Sequence, residues 1–262
     1  MSKLSAEEKF FDLSDYGRTI ATACAERLKT TNVTPIHITL LFGMCGLFAV
    51  FCIIKNYFIA AGVSLILKSI IDAIDGELAR IKQTPSYSGR YLDSIFDNIL
   101  NFLFFMAICF SAHTSYIVGF IAFACMQLQG TLYNYYYVIL RTNSVGGDTT
   151  SKIFETKTPQ ALAGESQTAV NVLFMMYRIL YSVYDNIIYT FDRKAYNVQL
   201  FPNWFMTLVS LYGLGFQLLI IALMLALGFI NYIVPFFIGY TIFILLFVLI
   251  RKQFINERII NT

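Results

Sequence analysis

The chain alternates between long apolar stretches and shorter polar segments. Six stretches are close to the length of about 20 apolar residues with which a helix crosses a bilayer. They cover residues 36–54, 58–80, 92–112, 116–140, 206–228 and 231–250. Runs such as 102–105 and 218–221 are apolar throughout and lack the alternation that marks the strands of a membrane barrel. The pattern predicts an all-α integral membrane protein with six transmembrane helices.

The segments outside these stretches divide the chain into two parts. Residues 1–34 form an N-terminal segment, and apolar positions at helical spacing within it predict an amphipathic helix on the membrane surface. Docking of that helix on the helix bundle is the alternative. Residues 35–262 are expected to form one domain with the six transmembrane helices. Residues 141–204 are an insert within it, with a loop followed by an amphipathic helix over 166–192 or, alternatively, a seventh span.

Composition and charge support a membrane protein and orient it. Hydrophobic residues make up 57% of the chain and charged residues only 13%, whereas soluble domains carry about 25% charged residues. Alternating spans place 17 of the 19 Lys and Arg residues on one side, which the positive-inside rule makes cytoplasmic. We therefore expect a multi-pass protein surrounded by membrane lipids, with both termini in the cytoplasm and no nucleic-acid partner. The sequence does not indicate which membrane holds it.

Two of the spans carry acidic residues at ends that face the same side. Asp72 and Asp75 are three residues apart, and Asp93 and Asp97 are four apart, so each pair shares one face of its helix. Residues 81–91, which are rich in turn-forming residues, predict a cytoplasmic turn that makes the two helices antiparallel. Four carboxylates then point into one pocket.

Such a cluster needs compensating positive charge. Each acidic residue inside a span costs about 2.5–3.5 kcal/mol on insertion scales, and like charges at close range repel each other. Divalent Mg²⁺ or Mn²⁺ prefers oxygen ligands and often keeps substrate phosphates in its remaining positions. The aspartates therefore predict a divalent metal site, with two ions as the expected number. The alternative is a solvated cluster paired only with Arg80, Lys82 and Arg90.

The residues around the aspartates add the features of a phosphate site. Gly76 and Ala79 leave the helix surface bare for a bulky ligand, and Arg80 can pair with a phosphate. The whole run reads Asp-x-x-Asp-Gly-x-x-Ala-Arg, eight residues, then Gly-x-x-x-Asp-x-x-x-Asp. This pattern resembles the signature of the CDP-alcohol phosphotransferase family at all eight fixed positions, which are Asp72, Asp75, Gly76, Ala79, Arg80, Gly89, Asp93 and Asp97.

The resemblance implies an enzyme that transfers a phosphoalcohol from a CDP-linked donor to a hydroxyl and releases CMP. It implies that Asp72, Asp75 and Asp93 are metal ligands, and that Asp97 both lies at the metals and acts as general base. The residues implied to line the CDP site are Asp72, Gly76, Ala79, Arg80 and Gly89. Proteins of this family are often dimeric, so the resemblance leaves a homodimer and a monomer both open.

Three further residues have weaker signals. Lys68 lies four residues before Asp72 and either compensates the acids or contacts the acceptor. Asn101 lies four residues beyond Asp97 and either orients that residue or a substrate hydroxyl, or joins helices. Arg141 and residues 146–149 either bind an anionic head group or form a plain loop, and the plain loop is the favoured interpretation.

The substrates stay open at this point. We expect CDP-diacylglycerol as donor and a polar alcohol as acceptor, in phospholipid synthesis. The alternative within the family is CDP-choline or CDP-ethanolamine with diacylglycerol. A cation or proton transporter is the alternative from another class, although its carboxylates would lie near the middle of the bilayer on broken helices.

Overall fold

The computed structural model describes residues 9–143 and 155–255 and is built from helices. In this part of the chain 79% of residues are helical and strands are absent, which confirms the all-α prediction. The helices are α1 (Arg18–Leu28), α2 (Pro35–Ile54), α3 (Phe58–Ile81), α4 (Tyr87–Ser111), α5 (Tyr116–Asn143), α6 (Gln167–Phe191), α7 (Asn203–Val209), α8 (Leu214–Ala226), α9 (Ile230–Tyr240) and α10 (Phe243–Phe254). Short 3-10 turns occupy Leu13–Asp15, Arg193–Asn197 and Ser210–Tyr212.

Four of the described helical stretches are long and apolar enough to cross a membrane, and a bent pair makes five. The four are α2, α4, α5 and the stretch Ile230–Phe254, which contains α9 and α10; the bent pair is Asn203–Tyr212 with Leu214–Ala226. Helix α3 is 24 residues long but carries Lys68, Asp72 and Asp75 in its middle. Helix α3 is long enough to cross a membrane, but these charged residues exclude it from the four apolar stretches.

The main core lies between α2, α3, α4, α5, α8 and α9. Its largest buried side chains include Phe42, Phe104, Phe105 and Phe237, and the rings of Phe105 and Phe237 meet edge to face at 5.4 Å. Helices α3 and α8 approach closely at Gly62, where a Cβ would lie 2.8 Å from the backbone oxygen of Ala222. This small residue sets the distance between two helices of the core.

The N-terminal helix packs on the bundle. Ala21 and Ala25 of α1 are fully buried, and they form a cluster with Ile38, Ile74 and Leu78 of α2 and α3. The turn before α1 is anchored as well, because the backbone N–H of Leu13 donates to Ser210 Oγ at 2.9 Å. These contacts favour the docked alternative over a helix that only lies on the membrane surface.

Helix α6 lies across one end of the bundle. It is continuous through Arg178 and Asp185. Near its start Phe174 packs on Tyr91 in the second turn of α4, with ring centroids 5.6 Å apart. Near its end Ile188 packs in one cluster with Leu140, in the last turn of α5. Both contacts lie at the same end of α4 and α5, and α6 is outside the set of apolar spans, so the geometry favours the amphipathic helix over a seventh span.

The last two predicted spans are interrupted, which the apolar pattern did not indicate. The segment predicted as 206–228 bends by 50° between α7 and α8, where Gly213 has an extended backbone. The segment predicted as 231–250 is broken between α9 and α10 because Gln129 intrudes. Its Nε2 donates to Phe237 O at 2.9 Å and to Thr241 Oγ1 at 2.8 Å, so it competes for the helix's own acceptor.

The close approach at Gly62 gives a test of this packing. We expect Gly62→Ala to force α3 and α8 apart, with a loss of about 1–3 kcal/mol of stability. The measurement is the thermal unfolding midpoint of the detergent-purified protein. Gly239→Ala is the matched control, because a Cβ at this helical position meets no atom within 4 Å. Equal midpoints for the two variants would contradict the close approach.

Candidate active site

The two motif helices bring three aspartates together. Helix α3 ends at Ile81 and α4 begins at Tyr87, so the chain reverses within residues 82–86. Asp72 of α3 and Asp93 and Asp97 of α4 each offer a carboxylate oxygen, and these three atoms lie within 4.8 Å of one another. The shared face that the spacing predicts for each pair therefore leads to one constellation in the folded chain.

The fourth aspartate is held by a different partner. Thr39 Oγ1 of α2 donates to Asp75 Oδ2 at 2.5 Å, and Asp75 is buried. Asp75 lines the same cavity but is not part of the group of three. The sequence analysis did not identify Thr39 as its partner, because nothing local connects residues that are 36 positions apart.

A buried lysine lies beneath the acidic group. The side chain of Lys68 is 0% exposed, and its Nζ forms an ion pair with Asp97 Oδ1. The same Nζ lies 4.0 Å from Asp72 Oδ2 and 4.7 Å from the centroid of the Phe42 ring. Of the two predicted roles, this position supports compensation of the acids, since Lys68 is absent from the lining of the cavity.

The residues present fit a divalent metal. One lysine faces three converging carboxylates, so the group retains a negative charge that a cation would balance. Asp93 Oδ1 is buried without a hydrogen-bond partner among the described residues. An all-oxygen donor set with an unpaired carboxylate oxygen suits Mg²⁺ or Mn²⁺.

Arg80 is engaged within its own helix. Its guanidinium forms an ion pair with Glu77, and Arg18 of α1 donates to the same carboxylate at 2.8 Å. Arg80 also lines the cavity, so its predicted contact with a phosphate stays a prediction. The ion pair between Glu77 and Arg80 was not predicted, although an acidic residue three positions before an arginine on a helix is a recognisable signal for such a pair.

The first turn of α4 starts earlier than the sequence analysis indicated. The sequence pattern predicts a turn over residues 87–91, but they are helical, and Gly89 lies in the first turn of α4. Ser86 caps this helix, since its Oγ accepts from Gly89 N–H at 2.8 Å. A Cβ on Gly89 would lie 3.1 Å from that Oγ, so a glycine at this position avoids a close contact with the capping hydroxyl.

The insert holds this first turn in place. Glu165 accepts hydrogen bonds from Ser86 Oγ at 2.8 Å and from Ser88 N and Oγ at 2.7 Å. Glu155 forms an ion pair with Arg90 and accepts from Tyr91 OH at 2.6 Å. The sequence analysis assigned no role to either glutamate. Together these contacts, which we call the insert clamp, fix residues 86–91 from outside the motif.

One cavity of about 1130 Å³ joins these elements. Its lining includes ten of the predicted site residues, which are Asp72, Asp75, Gly76, Ala79, Arg80, Gly89, Asp93, Asp97, Asn101 and Arg141. Pockets for a single small molecule span roughly 300–1000 Å³, so this cavity has room for a donor and an acceptor together. The loop at 146–149 lies outside the described residues.

The carboxylate of Glu165 is ionised at all ordinary pH values. Its partial burial alone would raise its pKa, but the hydrogen bonds from Ser88 and Ser86 outweigh burial and lower the pKa to about 2, from 4.5. A carboxyl with a depressed pKa stabilises the fold above its unfolded pKa and loses that contribution as the pH falls.

The insert clamp is therefore testable by pH. We expect Glu165→Gln to lower the thermal midpoint by a constant amount above pH 5, because the wild-type carboxylate stays ionised there. The difference between wild type and variant then shrinks as the pH falls from 4.5 towards 2. Glu26→Gln on the exposed side of α1 is the control. A difference that does not vary with pH down to 2 would contradict a charged clamp.

The charge compensation by Lys68 gives a second test. Removing one partner of a buried pair costs about 3–5 kcal/mol, so we expect Lys68→Met to lower the thermal midpoint in chelator. Millimolar Mg²⁺ then raises the midpoint more in the variant than in wild type, because the cation replaces the missing charge. Lys55→Met, at an exposed lysine, is the matched control. Full stability of Lys68→Met in chelator would contradict this role.

The part of the chain that carries the motif helices matches a known protein family. Residues 32–189, which include both motif helices, match the CDP-alcohol phosphatidyltransferase family. A bifunctional IPC transferase and DIPP synthase from Thermococcus kodakarensis is 32% identical over 105 residues, which are 40% of this chain and 24% of that protein. A protein of the same name from Aquifex aeolicus is 34% identical over 77 residues, 29% of this chain and 17% of that protein.

The similarity to these two relatives thus spans a quarter or less of their length. The family match is broader, since it runs from the start of α2 almost to the end of α6. It contains all eight motif positions and the cavity side of α5. The chain therefore belongs to the CDP-alcohol phosphatidyltransferase family.

Proposed function

We propose that this enzyme transfers a phosphoalcohol from CDP-diacylglycerol to the hydroxyl of a polar alcohol and releases CMP, as a step of phospholipid synthesis. The observation that carries the proposal is the convergence of Asp72, Asp93 and Asp97 in a cavity large enough for both substrates. Family membership supports the reaction class. The donor and the acceptor class are our inference.

Asp72, Asp93 and Asp97 are the residues best placed to hold divalent metal. Asp75, which lines the same cavity, is the proposed fourth ligand. When bound, Mg²⁺ or Mn²⁺ supplies positive charge that polarises a phosphoryl group and stabilises the oxygens of the leaving group. Arg80 and the bare helix surface at Gly76 and Ala79 line the adjacent wall, where the nucleotide and its phosphates fit.

Asp97 is the proposed general base. Lys68 binds its Oδ1, which leaves Oδ2 as the oxygen to take a proton from the acceptor hydroxyl. The acceptor oxygen then bonds to the phosphorus that carries the diacylglycerol, and the bond between this phosphorus and the oxygen of CMP breaks. The proton stays on Asp97 until solvent removes it, and CMP leaves with the electron pair of the broken bond.

We propose that α3 is a sixth span, in agreement with its length of 24 residues and its burial between α2 and α8. The acidic ends of α3 and α4 then lie at the cytoplasmic edge of the membrane, where soluble nucleotide meets lipid. The asymmetry of Lys and Arg along the chain supports this side. A transporter is disfavoured because α3 and α4 run unbroken through the acidic residues.

The first test removes the base. We expect Asp97→Asn to lower CMP release by at least about a hundredfold, because it removes proton transfer and a carboxylate of the metal site. The assay follows labelled CMP from CDP-diacylglycerol in the presence of a panel of alcohols, with Mg²⁺ or with chelator. Chelator is expected to abolish release by wild type.

Folding and donor choice are controlled in the same assay. The thermal midpoint and the activity of Glu26→Gln, at an exposed acid, control for folding and for removal of a charge. Full activity of Asp97→Asn would refute the assigned role. Release from CDP-choline with diacylglycerol, and none from CDP-diacylglycerol, would refute the proposed donor.

A further inference from the structure

The floor of the cavity beyond Asp97 is formed by two buried amides. Asn101 lies one helical turn farther along α4 on the same face, and Gln127 faces it from α5. Both line the cavity, and they are only 3% and 7% exposed. Asn101 Nδ2 approaches Gln127 Oε1 at 3.4 Å, a long contact for a hydrogen bond.

Each amide has a polar atom without a partner. Asn101 Oδ1 and Gln127 Nε2 are buried and form no hydrogen bond of normal geometry with any residue that the structure describes, while the side chain of Gln127 lies next to the Tyr181 hydroxyl. Leaving a buried donor or acceptor unmet is costly, so such atoms call for an explanation. One free acceptor and one free donor side by side match the bonding capacity of a hydroxyl, which both donates and accepts.

The neighbouring wall is polar too. Thr131 and Asn134 of α5 and Tyr181 and Asp185 of α6 line the same cavity. Tyr181 is fixed, because its OH donates to the backbone oxygen of Ser94 at 2.8 Å. Gln217 of α8 also lines the cavity, but its Nε2 donates to Gln129 Oε1 of α5 at 3.0 Å. It therefore differs from Asn101 and Gln127, which each keep an unpaired polar atom.

We propose that Asn101 and Gln127 form a hydroxyl-binding subsite that selects a polyhydroxylated alcohol as the acceptor. Asp97 and Asn101 are four residues apart on one helix, which is about 6 Å along its axis. When one hydroxyl of a small molecule reacts at Asp97, a further hydroxyl of the same molecule reaches both amides. A diacylglycerol has a single hydroxyl, so with that group at Asp97 it has no donor left for Asn101 Oδ1. This inference rests on the proposed function and adds the acceptor class and its binding residues.

The experiment compares acceptors that differ in hydroxyl number. The full-length protein in lipid nanodiscs with Mg²⁺ and CDP-diacylglycerol is given glycerol or myo-inositol as polyhydroxylated probes, and 1-butanol or dioleoylglycerol as single-hydroxyl probes. CMP release is expected to show at least about tenfold higher kcat/KM for a polyhydroxylated probe, since unmet polar groups penalise analogues without the hydroxyl.

Variants assign the effect to the two amides. We expect Asn101→Leu and Gln127→Leu each to raise the KM of the preferred probe about tenfold, while the KM of CDP-diacylglycerol changes less than about twofold. Asn98→Leu is the matched control. Asn98 lies on the same helix, is 4% exposed and also has an unpartnered Nδ2, but it does not line the cavity. Binding of labelled CDP reports whether each variant is folded, and Asn101→Ser replaces Asn101→Leu if the latter does not fold.

The outcomes separate this inference from the proposed function. An unchanged acceptor KM in the Asn101 and Gln127 variants, or a preference of wild type for single-hydroxyl probes, overturns the subsite while metal-dependent CMP release upholds the reaction. Equal effects of Asn98→Leu and Asn101→Leu also overturn it, because they indicate packing. No CMP release from CDP-diacylglycerol with any probe refutes the proposed function and the subsite together.

Discussion

The contact between Lys68 and Asp97 is the one on which the arrangement of the site depends. Acidic side chains placed among apolar helices repel one another and lose hydration, and both effects oppose folding. A fully buried ammonium group that contacts Asp97 and lies 4.0 Å from Asp72 offsets part of this cost before any metal binds. The remaining negative charge is what gives the site its affinity for a cation. One lysine thus stabilises the group of aspartates but leaves part of its negative charge for a cation to balance.

Residues of the surrounding elements hold the polar side chains of the motif helices in place. Thr39 of α2 bonds Asp75, Arg18 of α1 supports Glu77 beside Arg80, and two glutamates of the insert hold the start of α4. These polar residues of the motif helices are held by partners from other elements. Asp93 Oδ1, Asn101 Oδ1 and Gln127 Nε2 lack such a partner and belong to residues that line the cavity, whereas Asn98 Nδ2 also lacks one but lies away from the cavity. Unpaired polar atoms that face the cavity are the ones available to a ligand.

The sequence predicted the convergence of the aspartates better than the ends and breaks of the surrounding helices. Helical spacing places Asp72, Asp93 and Asp97 on shared faces, and this depends only on residues a few positions apart. The early start of α4 depends on Glu165, which is 79 residues from Ser86, and the break before α10 depends on Gln129 reaching Phe237. No local pattern contains such long-range contacts. The docking of α1 was open for the same reason, because an apolar face does not show whether lipid or protein covers it.

The insert clamp has a consequence for how this chain can vary. Glu155 and Glu165 belong to a segment without motif residues, yet their partners Ser86, Ser88 and Arg90 flank Gly89. Replacing a glutamate of the insert would leave Arg90 or the start of α4 without its partner. We therefore expect the insert and the motif segment to be exchangeable between related chains only as a unit. Grafting the α3–α4 motif onto another scaffold without its insert would transplant the aspartates but lose the helix start that aligns them.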